Sequence, residues 1–169
     1  MPDMSDRYLG ADAMRGPHEQ LFGLATYLRS TDLDPQLLSL VEMRASQING
    51  CAYCLVMHAD DLRKGGEREE RLYVLNAWRE APWFSDRERA ALAWTEAVTT
   101  LPNHQVPDDV FAEARLQFSE RELADLTLAV IAINGWNRLN IAFQNPPPRL
   151  TFTPEATLEA APAAATASV

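Results

Sequence analysis

The sequence predicts an all-α protein, and three features of it carry that reading. Apolar residues recur at helical spacing along most of the chain, capping signatures stand ahead of the apolar runs, and no alternating Val/Ile/Thr segment bounded by turns interrupts them. With 169 residues, 47% of them apolar, the chain has enough to bury for one core and is expected to form one domain.

The elements follow in order. A first helix is expected over 17–30. Asp34-Pro35 sets a capping carboxylate before a proline at the first helical position, and Leu37, Leu38, Leu40, Val41 and Met43 then give an apolar side to a helix over 35–47. Another is expected from Asn49 to Lys64, stopped by Gly65-Gly66, and a shorter one over 67–80. Ser85-Asp86-Arg87-Glu88 has the spacing of a capping box, in which a serine and a glutamate each satisfy the other's free amide. It leads into Ala90, Ala91, Trp94, Ala97, Val98 and Leu101, which share one helical stripe. A short helix fits 107–116. Ser119-Glu120-Arg121-Glu122 repeats the box, and the run Leu123 to Phe143 is apolar enough to be the most buried helix, with Gly135 as a point of close packing.

Two segments fall outside this pattern. QNPPPRLTFTP, 144–154, cannot continue a helix, because three prolines lack amide donors and hold an extended conformation; a strap is expected. Beyond it, EATLEAAPAAATASV has little to bury and is expected to stay mobile. The expected organisation is a helical domain over 1–150 and a tail over 151–169.

Charge narrows the function. Acidic residues outnumber basic ones 24 to 15 and the basic ones form no block, which argues against nucleic acid and anionic membrane as partners. MPDMSDRYLG lacks a basic stretch followed by an apolar run, and no segment reaches the ~18 apolar residues that span a bilayer, so a cytoplasmic location is expected. In that reducing compartment the chain's two cysteines read as catalytic or metal-binding rather than as a structural staple.

Both cysteines lie in NGCAYCLVMHADDLRKGG, 49–66. On a helix Cys51, Cys54 and His58 are separated by three and four residues and share one face. Cys51 falls in the first turn, where free amides and the positive end of the helix dipole favour a thiolate, and His58 can take or return a proton near Cys54. One thiolate so activated attacks a peroxide or a disulfide, and the other cysteine resolves the product. A packed thiol beside a solvated imidazole is the plainer alternative. Zinc is disfavoured, since a closed site wants four ligands, no second Cys/His pair exists, and His18 and His104 read as surface or capping residues. Thioredoxin-type exchange expects strands that this chain lacks.

The stretch LVEMRASQINGCAYCLVMHADDLRKGGE resembles the core motif of the AhpD-like alkylhydroperoxidases of the carboxymuconolactone decarboxylase superfamily. The similarity continues through WFSDRERAALAWTEAVTTL and FSERELADLTLAVIAINGWNRLNIAF, and its motif residues are Ser46, Asn49, Cys51, Tyr53, Cys54 and His58. The resemblance implies an AhpD-like helical bundle that assembles into trimers or hexamers. It also implies a thiol peroxidase acting on organic hydroperoxides, with Cys54 attacking and Cys51 resolving and meeting a thiol or lipoyl-type reductant protein. No cofactor and no metal are expected. The decarboxylase branch lacks the cysteine pair. The family pattern often carries a glutamate at the position of Ser39; here Glu42, one turn on, and Glu96, from another helix, are the candidates to stand in for it.

Other residues weigh less. Trp78, Trp83, Trp94 and Trp136 read as core or subunit-contact residues. Asn134, Asn137 and Asn140, in an apolar helix, must cap, bond backbone or face the site. Arg44 and Arg138 are expected in ion pairs with helix carboxylates. Two further functions stay open: a dithiol-disulfide oxidoreductase or redox sensor with little peroxide turnover, and a non-redox oligomeric binding protein.

Overall fold

A computed structural model describes residue 7 and residues 9–148. Helix α1 spans Ala11–Arg29, α2 Pro35–Asn49, α3 Ala52–Lys64, α4 Glu69–Val74, α5 Asp86–Thr100, α6 Asp108–Gln117 and α7 Glu120–Ala142, and no strand occurs among the described residues. The expectation of a tail over 151–169, and of a strap beyond 148, lies outside the described residues.

The capping signatures act as the sequence predicts. Asp34 accepts a hydrogen bond from the Gln36 amide with Pro35 at the first helical position, and both Ser85/Glu88 and Ser119/Glu122 form reciprocal capping boxes. Three elements differ from expectation. Helix α1 begins at Ala11 and runs through Pro17, whose missing amide costs one bond while packing against α7 holds the helix together. The segment expected to be helical over 67–80 is α4 followed by a 3₁₀ turn, Leu75–Ala77. Its buried residues Leu72, Leu75 and Trp78 recur every third position, the period of the tighter helix. The third difference is the junction between α2 and α3. Helix α2 continues to Asn49, Gly50 closes it at φ 72° in the left-handed region, and Cys51 becomes the N-cap of α3.

Helix α2 is the centre of the fold, packed against α3, α5 and α7. Leu37 and Val41 join Leu28, Trp94, Leu126 and Val130 in one cluster shared with α1, α5, α6 and α7. Leu40 and Met43 enter a second cluster with Leu62, Leu72, Leu75, Trp78 and Leu92. A third, small cluster joins Ala45 to Cys51, Cys54 and Ile133. The two thiols thus sit in apolar packing where α2, α3 and α7 meet. Gly135 allows α1 close to α7: a Cβ there would stand 3.1 Å from a Leu21 methyl.

Candidate active site

Local chain chemistry brings the thiols together. Because Gly50 turns the chain, the Cys51 amide donates to the Ser46 carbonyl at 3.1 Å, and α3 restarts with Cys51 at its positive end. Cys54, one turn on, puts its sulfur 2.8 Å from that of Cys51, and both residues are 1% exposed with neither engaged in a disulfide.

The other motif residues hold this junction to α7. Ser46 Oγ donates to the Glu42 carbonyl and accepts from Asn137 Nδ2 at 3.0 Å. Asn49 Nδ2 donates to the side-chain oxygens of both Asn137 and Asn134, at 2.8 and 2.9 Å. Asn134 Nδ2 reaches Thr99 Oγ1 and the Val130 carbonyl. Asn140 points at the site itself, its Nδ2 lying 3.4 Å from Cys54 Sγ. The three asparagines of the apolar helix therefore satisfy buried polar groups across an interface, where a single unpaired amide costs about 1–3 kcal/mol.

Two sulfurs this close share one hydrogen, and they titrate in opposite directions. The hydrogen bond between the thiols outweighs burial and, helped by the amides of Cys54 and Tyr53 and by Asn137, lowers Cys51 from 9.0 to about 6. Cys54 moves upward: its hydrogen bond with Cys51 comes first, then burial, then its neighbour's charge, and all three favour the protonated thiol. The first proton leaves the pair easily and the second with difficulty.

A cavity of about 660 Å³ opens beside this pair, and of the two cysteines Cys54 is in its wall. His58 and Glu42 line it as well. His58 Nδ1 lies 3.3 Å from Glu42 Oε2, without the alignment of a hydrogen bond, and neither ring nitrogen has a hydrogen-bond partner among the described residues although the residue is 4% exposed. Burial lowers His58 from 6.5 to about 4, so the imidazole is neutral at physiological pH. Glu42 is raised from 4.5 to about 7 by burial first and by the Asp61 carboxylate second, against a smaller opposing effect of Arg29.

Of the two carboxylates singled out in the sequence, the structure therefore brings Glu42 to the histidine. Glu96 is placed elsewhere: Oε1 accepts from Arg44 Nε at 2.9 Å and Trp78 Nε1 at 2.8 Å, and Oε2 accepts from Arg79. Burial would raise Glu96, but these three donors hold it below the ordinary carboxylate range. It ties α2, α5 and the turn after α4 together. The Arg44 ion pair expected from the sequence is this one, whereas Arg138 donates to the carbonyl and side-chain oxygens of Asn134 and, among the described residues, not to a carboxylate.

Sequence reasoning missed part of the site. His18, read as a surface or capping residue, and Trp136, read as core or subunit contact, line the cavity with their rings 5.3 Å apart, and Phe22 packs edge-on against Trp136 at 5.0 Å. Trp83 is exposed, while Trp78 and Trp94 are core. The only signal available was the 3.6-residue register: His18, Phe22 and Arg29 fall on one side of α1, a side that looks like an ordinary half-polar face until α7 is set beside it. Among the described residues no group of three or more His, Cys, Asp or Glu is arranged to hold a metal ion. No described helix is long and apolar enough to cross a membrane.

Comparison with known proteins places this architecture. The chain is 38% identical over 125 residues to the uncharacterized protein YdfG of Bacillus subtilis, an alignment covering 74% of this chain and 85% of that protein. A crystal structure from Agrobacterium tumefaciens, of a protein of unknown function provisionally designated antioxidant defence protein AhpD, superposes with a TM-score of 0.79 at 36% identity, covering 83% of this chain and 96% of that one. The debrominase Bmp8 shares the fold, with a TM-score of 0.68 at 21% identity over 76% of this chain and 69% of its own. Residues 17–97, which hold both cysteines, His58 and Glu42, match the carboxymuconolactone decarboxylase family. With the helical order, the paired thiols and these relationships agreeing, the chain belongs to the carboxymuconolactone decarboxylase family and is AhpD-like within it.

Proposed function

We propose that the protein is a thiol-dependent peroxidase that reduces organic hydroperoxides through Cys51 and Cys54. One observation carries the reading: the two sulfurs stand 2.8 Å apart, and the cavity that reaches Cys54 also holds His58 with its Nδ1 3.3 Å from the Glu42 carboxyl group. Cys54 attacks the terminal peroxide oxygen as a thiolate, the O–O bond breaks, and the sulfur becomes a sulfenic acid while the organic fragment leaves as an alkoxide. Glu42 and His58 supply the proton that turns the alkoxide into an alcohol. Cys51 then attacks the sulfenic sulfur, releasing water and closing a disulfide. One hydroperoxide is reduced and two thiols are oxidised. An external dithiol, of thiol or lipoyl type, restores the pair.

The apolar walls support an organic rather than an inorganic peroxide. Phe22, Leu28, Leu38, Met57, Ile133 and Trp136 face the cavity, whose volume suits a molecule of drug-like size. The designation of the Agrobacterium relative as an antioxidant defence protein agrees with this chemistry. The test is the mass of the intact chain before and after one equivalent of an organic hydroperoxide. The expected result is the loss of two hydrogens with no added oxygen, and no such loss in Cys54→Ser. A chain that keeps both thiols and consumes no hydroperoxide refutes the reading.

A further inference from the structure

The thiol pair poses a problem for the reaction just described. The close approach of the two sulfurs lowers Cys51, which is outside the cavity wall, and raises Cys54, the attacking sulfur of the proposed reaction. Some group must favour charge on Cys54. Two asparagines from outside the family-matched segment 17–97 do so: Asn137, which favours charge on Cys51 as well, and Asn140, which acts on Cys54, lines the cavity, is 7% exposed and has its Nδ2 at 3.4 Å from Cys54 Sγ.

An asparagine facing a thiol can present either its NH₂, which stabilises a thiolate, or its carbonyl, which stabilises the protonated thiol. The chain beyond α7 decides between them. After Ala142 the helix ends, Gln144 takes a left-handed φ of 51°, and the Asn145 amide turns back to donate to the Asn140 carbonyl at 3.0 Å. This brings the Asn145 side chain onto that of Asn140, where Asn145 Nδ2 donates to Asn140 Oδ1 at 2.7 Å. With its oxygen so engaged, Asn140 has its NH₂ left for the sulfur. Asn140, Asn145 and the adjoining Pro146 all line the cavity.

We propose that Asn140 is a positioning residue for the thiol chemistry: held by Asn145, it donates to Cys54 Sγ and draws the shared charge onto the sulfur that faces the cavity. The inference rests on the reading of Cys54 as the attacking sulfur. It assigns the turn after α7 a part in setting which cysteine reacts, and it makes the Asn145–Asn140–Cys54 chain, rather than His58 alone, responsible for the thiolate. The Asn140 amide does not titrate, so its effect is to stabilise charge and not to act as an acid or base.

The experiment reads the thiol without any peroxide. In a Cys51→Ala background Cys54 is the sole cysteine of the full chain. Its rate of alkylation by iodoacetamide is followed against pH, with helicity monitored by circular dichroism. Asn140→Leu in that background is expected to move the midpoint up by about one pH unit, the size of one hydrogen bond to a charged group, and Asn145→Ala to move it up by less. An unchanged or lowered midpoint in folded Asn140→Leu overturns the proposal; a lowered one means that the asparagine presents its carbonyl. Should Asn140→Leu not fold, Asn145→Ala decides, and an unmoved midpoint there overturns it. A protein that shows both upward shifts yet consumes no hydroperoxide refutes the peroxidase reading and leaves this one standing; turnover with unmoved midpoints does the reverse.

Discussion

Glu42 and His58 meet at 3.3 Å, yet burial acts on them in opposite senses, since it disfavours the charged form of each. Glu42 rises from 4.5 to about 7, so between those values the folded protein holds a proton that the unfolded chain has released. Its contribution to stability is therefore full below pH 4.5 and is lost as pH rises to 7. His58 falls from 6.5 to about 4, so between those values the unfolded chain holds the extra proton, and stability is lost as pH falls through that window. The two slopes oppose one another where the windows overlap, and above pH 7 only the cost of an ionised Glu42 persists. Glu42→Gln removes that cost. Urea denaturation is expected to show the variant more stable than the parent by roughly 1–3 kcal/mol at pH 8, with the difference vanishing near pH 4. An equal difference at both pH values would mean that the carboxyl ionises normally. The same raised value leaves Glu42 partly protonated near neutrality, the state that the proposed donation to a leaving alkoxide requires.

At the scale of elements, the junction of α2 and α3 does most to build the site. Gly50 sits at φ 72° with open space around its missing Cβ, so a side chain there meets conformational strain and no clash. Gly50→Ala is expected to cost about 1 kcal/mol in chemical denaturation and to loosen the Cys51 N-cap, lowering the rate at which the reduced pair is alkylated at neutral pH. A stability loss with an unaltered alkylation rate would show that the junction and the thiols are independent. The capping boxes of α5 and α7 make a contrasting case, because they are remote from the thiols. Ser85→Ala and Ser119→Ala should each cost about 1 kcal/mol, read as a shift in the urea midpoint, with alkylation unchanged.

Across the whole molecule, several polar systems join the helices, among them Arg71–Glu88, Arg87–Glu122 and Tyr27–Asp125, and of the two that flank α2 one belongs to the site. The asparagines of α7 bind the end of α2 and the thiols. The Glu96 system joins Arg44, Trp78 and Arg79 on the other side of α2, with the Arg44 and Glu96 side chains 14% and 19% exposed. Glu96→Gln is expected to destabilise the fold by about 2 kcal/mol or more, since it leaves a largely buried guanidinium unpaired. The pH midpoint of thiol alkylation should not move. A shifted midpoint would show that Glu96 acts on the thiols after all.

The sequence by itself determined the helical class, most helix boundaries and the close grouping of Cys51, Cys54 and His58. Capping boxes, the Asp34-Pro35 start and the spacing of Cys51, Cys54 and His58 are local, and local chemistry reads directly from a chain. Where an element ran through Pro17 or tightened into the 3₁₀ turn after Val74, packing overrode propensity. Only the tertiary structure decided between Glu42 and Glu96, because the two lie on different helices and their fates depend on which cations and which imidazole the packing brings near. It likewise recruited His18, Phe22 and Trp136 to the cavity and turned Asn145 back onto Asn140. These are contacts between residues far apart in the chain, or across a turn whose handedness no side chain announces, and they exist once α1, α2, α3 and α7 have closed around the thiols.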